Sequence, residues 1–171
     1  GNSKTFSKKN LLLISKSLKN EQQIYNLNLC GGDTTFSNKL SFTITSLGYS
    51  KKIIYRNKAL LNNDIYVTGN LGDSFIGLQI LKNKITVNKK ISKYFINKYY
   101  LPELQSKLSS HLFKFANTSI DISDGLIGDL KKMINRQSLS FLINENKIPI
   151  SANLKKLISK KKLNKIMTVT N

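Results

Sequence analysis

The chain has 171 residues, 40% of them hydrophobic and 9% aromatic, and a formal charge of +19 from 28 basic and nine acidic side chains. That length suits one ordinary domain or parts of two, and the apolar content excludes a disordered chain. The lone Cys30 excludes an internal disulfide or a Cys-rich metal site, and no apolar run reaches signal-peptide or membrane-spanning length, so the chain is expected in the cytoplasm. The excess charge invites a nucleic-acid reading. However, the lysines are dispersed among Asn and Ile, and only Arg56 and Arg136 supply the guanidinium fork that base-reading proteins favour. A compositional bias accounts for the charge, and no specific nucleic-acid partner is expected.

From the N-terminus, Ser7 to Asn26 reads as a helix with Leu11, Ile14, Leu18 and Tyr25 near one face. Leu27 to Cys30 reads as a short buried strand running into a tight Gly31-Gly32-Asp33 turn. Lys39 to Leu47 alternates apolar and polar residues, as a half-buried strand does. Gly48 ends that strand, and Tyr49 to Lys52 is a candidate linker, giving units 1–52 and 53–171. In the second unit, Leu61 to Asp64 predicts a turn, Ile65 to Thr68 a strand, and the run Gly69 to Ser74 the opening of a helix through Leu81 with Asp73 as its N-cap. Helices are expected over Asn88 to Tyr100 and Leu104 to Phe115. Ser119 to Ile122 reads as a strand that delivers Ser123-Asp124-Gly125 to a helix with core face Leu126, Leu130 and Ile134. Leu139 to Ile143 is a further strand, Ala152 to Leu163 a basic helix, and Lys165 to Thr170 an unfinished strand. The alternation gives a mixed α/β class. The start at Gly1 and the unfinished end suggest a processed or partial chain.

Two runs concentrate the chemistry: Leu29-Cys30-Gly31-Gly32-Asp33-Thr34-Thr35 and Ile120-Asp121-Ile122-Ser123-Asp124-Gly125-Leu126. Asp33 with its threonines suits either a magnesium or phosphate site or local turn bonds. Asp121 and Asp124 are better explained by a cation: two carboxylates brought together repel, and a capping role for Ser123 or Asp124 leaves Asp121 without a purpose. Arg56 reads as a salt-bridged surface arginine, His111 as structural, and Cys30 as a buried strand end. Gly69-x-x-Gly72-Asp73-Ser74 lacks the Lys-Ser/Thr of a nucleotide P-loop.

Taken in order, LCGGDTT, the strand Leu40 to Gly48, Arg56, Asp64-Ile-Tyr-Val-Thr-Gly, Gly72-Asp73-Ser74, Tyr100-x-Pro102, IDISDGL with Asp129-Leu130, and Ile148-Pro149-Ile150-Ser151 resemble thiamine-monophosphate kinases over essentially the whole chain. The resemblance implies an aminoimidazole ribonucleotide synthetase-like fold, with the end of an N-terminal α/β domain followed by most of a C-terminal one. It implies ATP-dependent phosphorylation of thiamine monophosphate to thiamine diphosphate, by a homodimer when full length. By the same resemblance Asp33, Asp121 and Asp124 bind Mg²⁺, while Gly32, Asp33, Arg56 and Ser123 contact ATP. The family's upstream Asp-Asp and Ser-Asp motifs and its later Gly-Gly-Glu-Asp-Tyr segment have no counterpart here. The chain therefore reads as the central portion of such a kinase, inactive by itself. Another ATP-dependent enzyme of the same superfamily is the nearest alternative reading, and a basic nucleic-acid-binding protein the alternative from a different class.

Overall fold

The computed structural model describes residues 7–35 and 37–170, which fall into two compact units, Gly1–Ser50 and Lys51–Asn171. In the first unit, α1 (Lys8–Tyr25) starts where the Ser7 hydroxyl accepts the Asn10 N–H at 3.2 Å. It ends at Asn26, whose left-handed backbone (φ 53°) returns an N–H to the Gln22 carbonyl. None of its residues is fully buried; of the expected apolar face only Ile14 and Tyr25 are partly covered.

The second unit holds the core. Gly72 (φ 86°) opens α2 (Asp73–Leu81), and α3 (Lys89–Tyr100) begins at Asn88, whose side chain accepts the Ile91 N–H at 3.0 Å. The two helices pack at Gly77, where any Cβ would lie 2.3 Å from the Phe95 carbonyl oxygen, so this crossing requires glycine. A 3₁₀ turn (Ser106–Leu108) runs into the single-turn α4 (Ser109–Leu112), followed by α5 (Leu126–Met133), α6 (Ala152–Lys161) and α7 (Lys165–Thr170). One core cluster joins Ile76, Phe95, Leu154 and Leu157; the other joins Leu71, Leu126, Leu130 and Val169. Full burial of Ile76, Phe95 and Leu154 stabilises the unit by roughly 1.5–3 kcal/mol for each side chain. Among the described residues, no helix is long and apolar enough to cross a membrane.

Several expected elements take other forms. Among the described residues no segment is a paired strand. Leu40 to Leu47 makes no ladder, and Leu40, Phe42, Ile44 and Leu47 are all exposed, because a strand exists only through a neighbour that takes its N–H and C=O groups. The expected strands Leu27 to Cys30, Ile65 to Thr68 and Ser119 to Ile122 are likewise unpaired. Leu139 to Ile143 keeps the side-chain alternation, with Phe141 and Ile143 against the core and Leu142 95% exposed, yet it also lacks a ladder. The helix expected over Leu104 to Phe115 shrinks to α4 and its 3₁₀ turn, where the Ser109 hydroxyl bonds the Ser106 carbonyl at 2.7 Å. His111 is exposed there. Lys165 to Thr170 is helical rather than extended, since as α7 it turns Val169 into the core beside Leu71.

Candidate functional site

The Ser123-Asp124-Gly125 turn is shaped by a carboxylate that follows it. Asp129 falls on the apolar face of α5 with Leu126 and Leu130 and is 1% exposed. A charge so buried needs partners on every side. Its Oδ2 accepts the N–H groups of Ser123 at 2.8 Å and Asp124 at 2.9 Å, and its Oδ1 receives the Lys132 ammonium at 2.8 Å. Burial works against ionisation of Asp129. The Lys132 ammonium and the two backbone donors more than offset it and hold the carboxyl below the usual Asp range. Lys132 also donates to Asp124 Oδ2, and its bonds to Asp124 and Asp129 push its own pKa up. Gly125 (φ 111°, ψ 155°) takes a backbone that L side chains avoid, and it, rather than Ser123 or Asp124, is the N-cap of α5. The turn therefore presents the Ser123 and Asp124 side chains to solvent while Asp129 holds their backbone from behind.

Arg56 lies beside this turn, with its guanidinium 3.4 Å from Asp121 Oδ1. Three clasps fix its segment. Thr118 Oγ1 donates to the Tyr55 carbonyl at 2.8 Å. The Asn57 N–H donates to the Met133 carbonyl at 3.0 Å, and its side-chain amide nitrogen faces the Lys132, Met133 and Asn135 carbonyls at the end of α5. Gln137 grips Ala59 twice, accepting its N–H at 3.2 Å and donating to its carbonyl at 2.8 Å. The Arg56 and Asp121 side chains remain 58% and 73% exposed, so their pairing adds little stability and leaves both open to a ligand. The expected salt-bridged arginine is thus present.

Asp73 is turned the other way. It is not the N-cap of α2 but its first residue, 4% exposed, because Gly72 already makes the turn. Its carboxylate accepts the Tyr94 hydroxyl at 2.8 Å and the Ser151 hydroxyl at 2.7 Å, and Ser151 in turn caps α6 by accepting the Leu154 N–H at 3.0 Å. Burial, together with the Asp73 carboxylate, raises the Tyr94 phenol above its ordinary value despite the opposing Ser151 bond.

In the first unit, Asp33 Oδ1 accepts the Thr34 N–H at 2.7 Å. Gly31 and Gly32 make no tight turn: neither has a positive φ, and nothing lies within 4 Å of the position of a Cβ. Cys30 is exposed rather than buried, because its segment packs against no core. Of the predicted site residues, Arg56 and Asp121 are in contact, and Ser123 and Asp124 share one braced turn, while Gly32 and Asp33 belong to the other unit. Among the described residues, no three His, Cys, Asp or Glu side chains gather closely enough to hold a metal. Asp129, Lys132, Asn57 and Gln137 are absent from the sequence-based set. Asp129 carried a signal nonetheless: an acid on an apolar helix face, in a chain with few acids.

No known protein-family profile matches the chain. A thiamine-monophosphate kinase of Buchnera aphidicola is 44% identical over 130 residues, which are 74% of this chain and 40% of that protein. The solved structure of thiamine monophosphate kinase from Aquifex aeolicus matches with a TM-score of 0.65 at 30% identity, over 71% of this chain and 41% of that one. The chain belongs to the thiamine-monophosphate kinase family. A second solved structure, AaThiL complexed with AMPPCP and TMP, matches with a TM-score of 0.62 at 31% identity, over 68% of this chain and 38% of that one. The fold class is accordingly the mixed α and β, aminoimidazole ribonucleotide synthetase-like one, present in part. The chain spans less than half the length of the curated thiamine-monophosphate kinases it matches.

Proposed function

We propose that the protein to which this chain belongs transfers the γ-phosphoryl group of ATP to the phosphate of thiamine monophosphate, giving thiamine diphosphate and ADP. The single observation that carries this reading is the braced turn bearing Ser123 and Asp124 with Arg56 held at Asp121, in a chain of this family. Both reactants are anions, so the barrier is mainly electrostatic and positional rather than one of covalent chemistry.

Arg56 would release Asp121 and take a phosphate oxygen, an exchange its exposure permits. The Ser123 hydroxyl would donate to the nucleotide from a backbone that Asp129 keeps from drifting. Gly32 would let the chain approach a phosphate closely, and Asp33 would supply a carboxylate oxygen. Asp33, Asp121 and Asp124 would hold Mg²⁺, whose bound form neutralises phosphate charge. The donor chemistry fits: carboxylates are hard oxygen ligands, and Mg²⁺ bound with a nucleotide needs only one or two of them, the rest being phosphate oxygens and water. We further propose a cytoplasmic homodimer, with this stretch inactive by itself and without a specific nucleic-acid partner.

The test is a coupled assay on the full-length protein with ATP, Mg²⁺ and thiamine monophosphate. Stoichiometric ADP and thiamine diphosphate are expected, with both lost in Asp33→Asn. Hydrolysis of ATP without thiamine diphosphate would contradict the assignment of the acceptor.

A further inference from the structure

Among the described residues, Lys132 is the one cation that touches the proposed metal ligand Asp124, and it does so from an anchored position. It lies three residues beyond Asp129 on α5, and its ammonium bonds the buried Asp129 Oδ1 at 2.8 Å while also donating to Asp124 Oδ2. Asp129 cannot release this partner cheaply, because its other oxygen is already committed to the Ser123 and Asp124 N–H groups and its burial opposes an unbalanced charge. Asp124, by contrast, is mostly exposed and can exchange one cation for another.

From this asymmetry we infer that Lys132 is a resident counter-cation that competes with a divalent metal for Asp124, so that the metal binds only by displacing the ammonium from Asp124 while Lys132 stays on Asp129. Two effects act in the same direction. The ammonium occupies a carboxylate oxygen that the metal needs, and after displacement it remains as a nearby positive charge that repels the metal. A residue that merely shapes the loop would act in the opposite sense, since its removal would loosen Asp124 and weaken metal binding. The inference rests on the reading of Asp124 as a metal ligand.

The experiment is a Mn²⁺ titration of the full-length protein, without nucleotide, followed by the electron-paramagnetic-resonance signal of free Mn²⁺. Wild type, Lys132→Gln, Lys132→Arg and Asp124→Asn are compared, with folding checked by circular dichroism. Removal of the competing charge should tighten Mn²⁺ binding roughly threefold to fivefold in Lys132→Gln, the range expected for an exposed ion pair. Lys132→Arg, which keeps the charge and is not expected to unfold Asp129's surroundings, should bind no tighter than wild type. Unchanged or weaker binding in Lys132→Gln, or tighter binding in Lys132→Arg, overturns the inference while leaving Asp124 as a ligand. Mn²⁺ binding that is indifferent to Asp124→Asn overturns the ligand assignment and the competition with it. Binding that is absent in every variant, Lys132→Gln included, overturns the competition alone, because nucleotide oxygens complete the proposed metal site.

Discussion

Two short turns in the second unit use nearly the same residues to opposite ends. Gly72-Asp73-Ser74 and Ser123-Asp124-Gly125 each place an aspartate beside glycine and serine at the start of a helix. In the first turn the aspartate points inward and is satisfied by two neutral hydroxyls, Tyr94 and Ser151, so it ties α2 to α3 and α6. In the second turn the inward bonds are made by Asp129, five residues further on, which frees Asp124 to face solvent with a cation beside it. The difference teaches that an aspartate becomes available for chemistry when another group takes over the structural bonds of its loop. Local composition alone does not separate the two cases.

The comparison breaks first at Asp129. Replacing it with Asn removes the charge and one of two acceptors, so the new amide NH2 must face either the Lys132 ammonium or the Ser123 and Asp124 N–H groups. Destabilisation by about 2–3 kcal/mol is expected in urea unfolding of the full-length protein. The pH dependence sharpens this. Because the folded pKa of Asp129 is lowered, its stabilisation is fully present above the ordinary Asp value and is lost as the pH falls through the folded value. The stability gap between wild type and Asp129→Asn should therefore be full at neutral pH and narrow only in strong acid. A gap that stays constant down to that range would remove the ion pair from the explanation.

Ser151→Ala probes the inward turn. It removes the cap of α6 and leaves one Asp73 oxygen without its hydroxyl, which should cost about 1–2 kcal/mol in the same measurement. At the outward turn, Arg56→Gln should change stability by no more than about 0.5 kcal/mol, because the pair it breaks is exposed. A loss as large as that of Ser151→Ala would mean that Arg56 is a structural residue and not one kept free for a phosphate.

The starts of α1, α3 and α6 were legible because Ser7, Asn88 and Ser151 announce them, each accepting a backbone N–H in its helix's first turn. The strands were legible only as patterns. Alternation in Leu139 to Ile143 correctly sorts inward from outward side chains, but pairing depends on a neighbour that the segment itself does not encode. The end of the chain misled for a related reason. The apolar and β-branched residues of Lys165 to Thr170 suit a strand, yet packing of Val169 beside Leu71 outweighs that preference. The exposed loop bearing Asp121 and Asp124 and the ion pairing of Arg56 were readable from residue types and motif order. The bracing by Asn57 and Gln137 was not, because their bonds join segments far apart in the chain, and the local bracing by Asp129 and Lys132 was signalled only by an acid on an apolar helix face.

The most direct measurement compares Asp124→Asn with Asp73→Asn in the full-length protein, taking kcat for thiamine diphosphate formation and the thermal midpoint of each. The account predicts that Asp124→Asn lowers kcat by about a hundredfold or more while the midpoint stays near that of wild type. Asp73→Asn should lower the midpoint, through about 1–3 kcal/mol lost at a buried site, and leave kcat per folded molecule within a few-fold of wild type. An Asp124→Asn enzyme that keeps its activity, or one that unfolds as readily as Asp73→Asn, would contradict it.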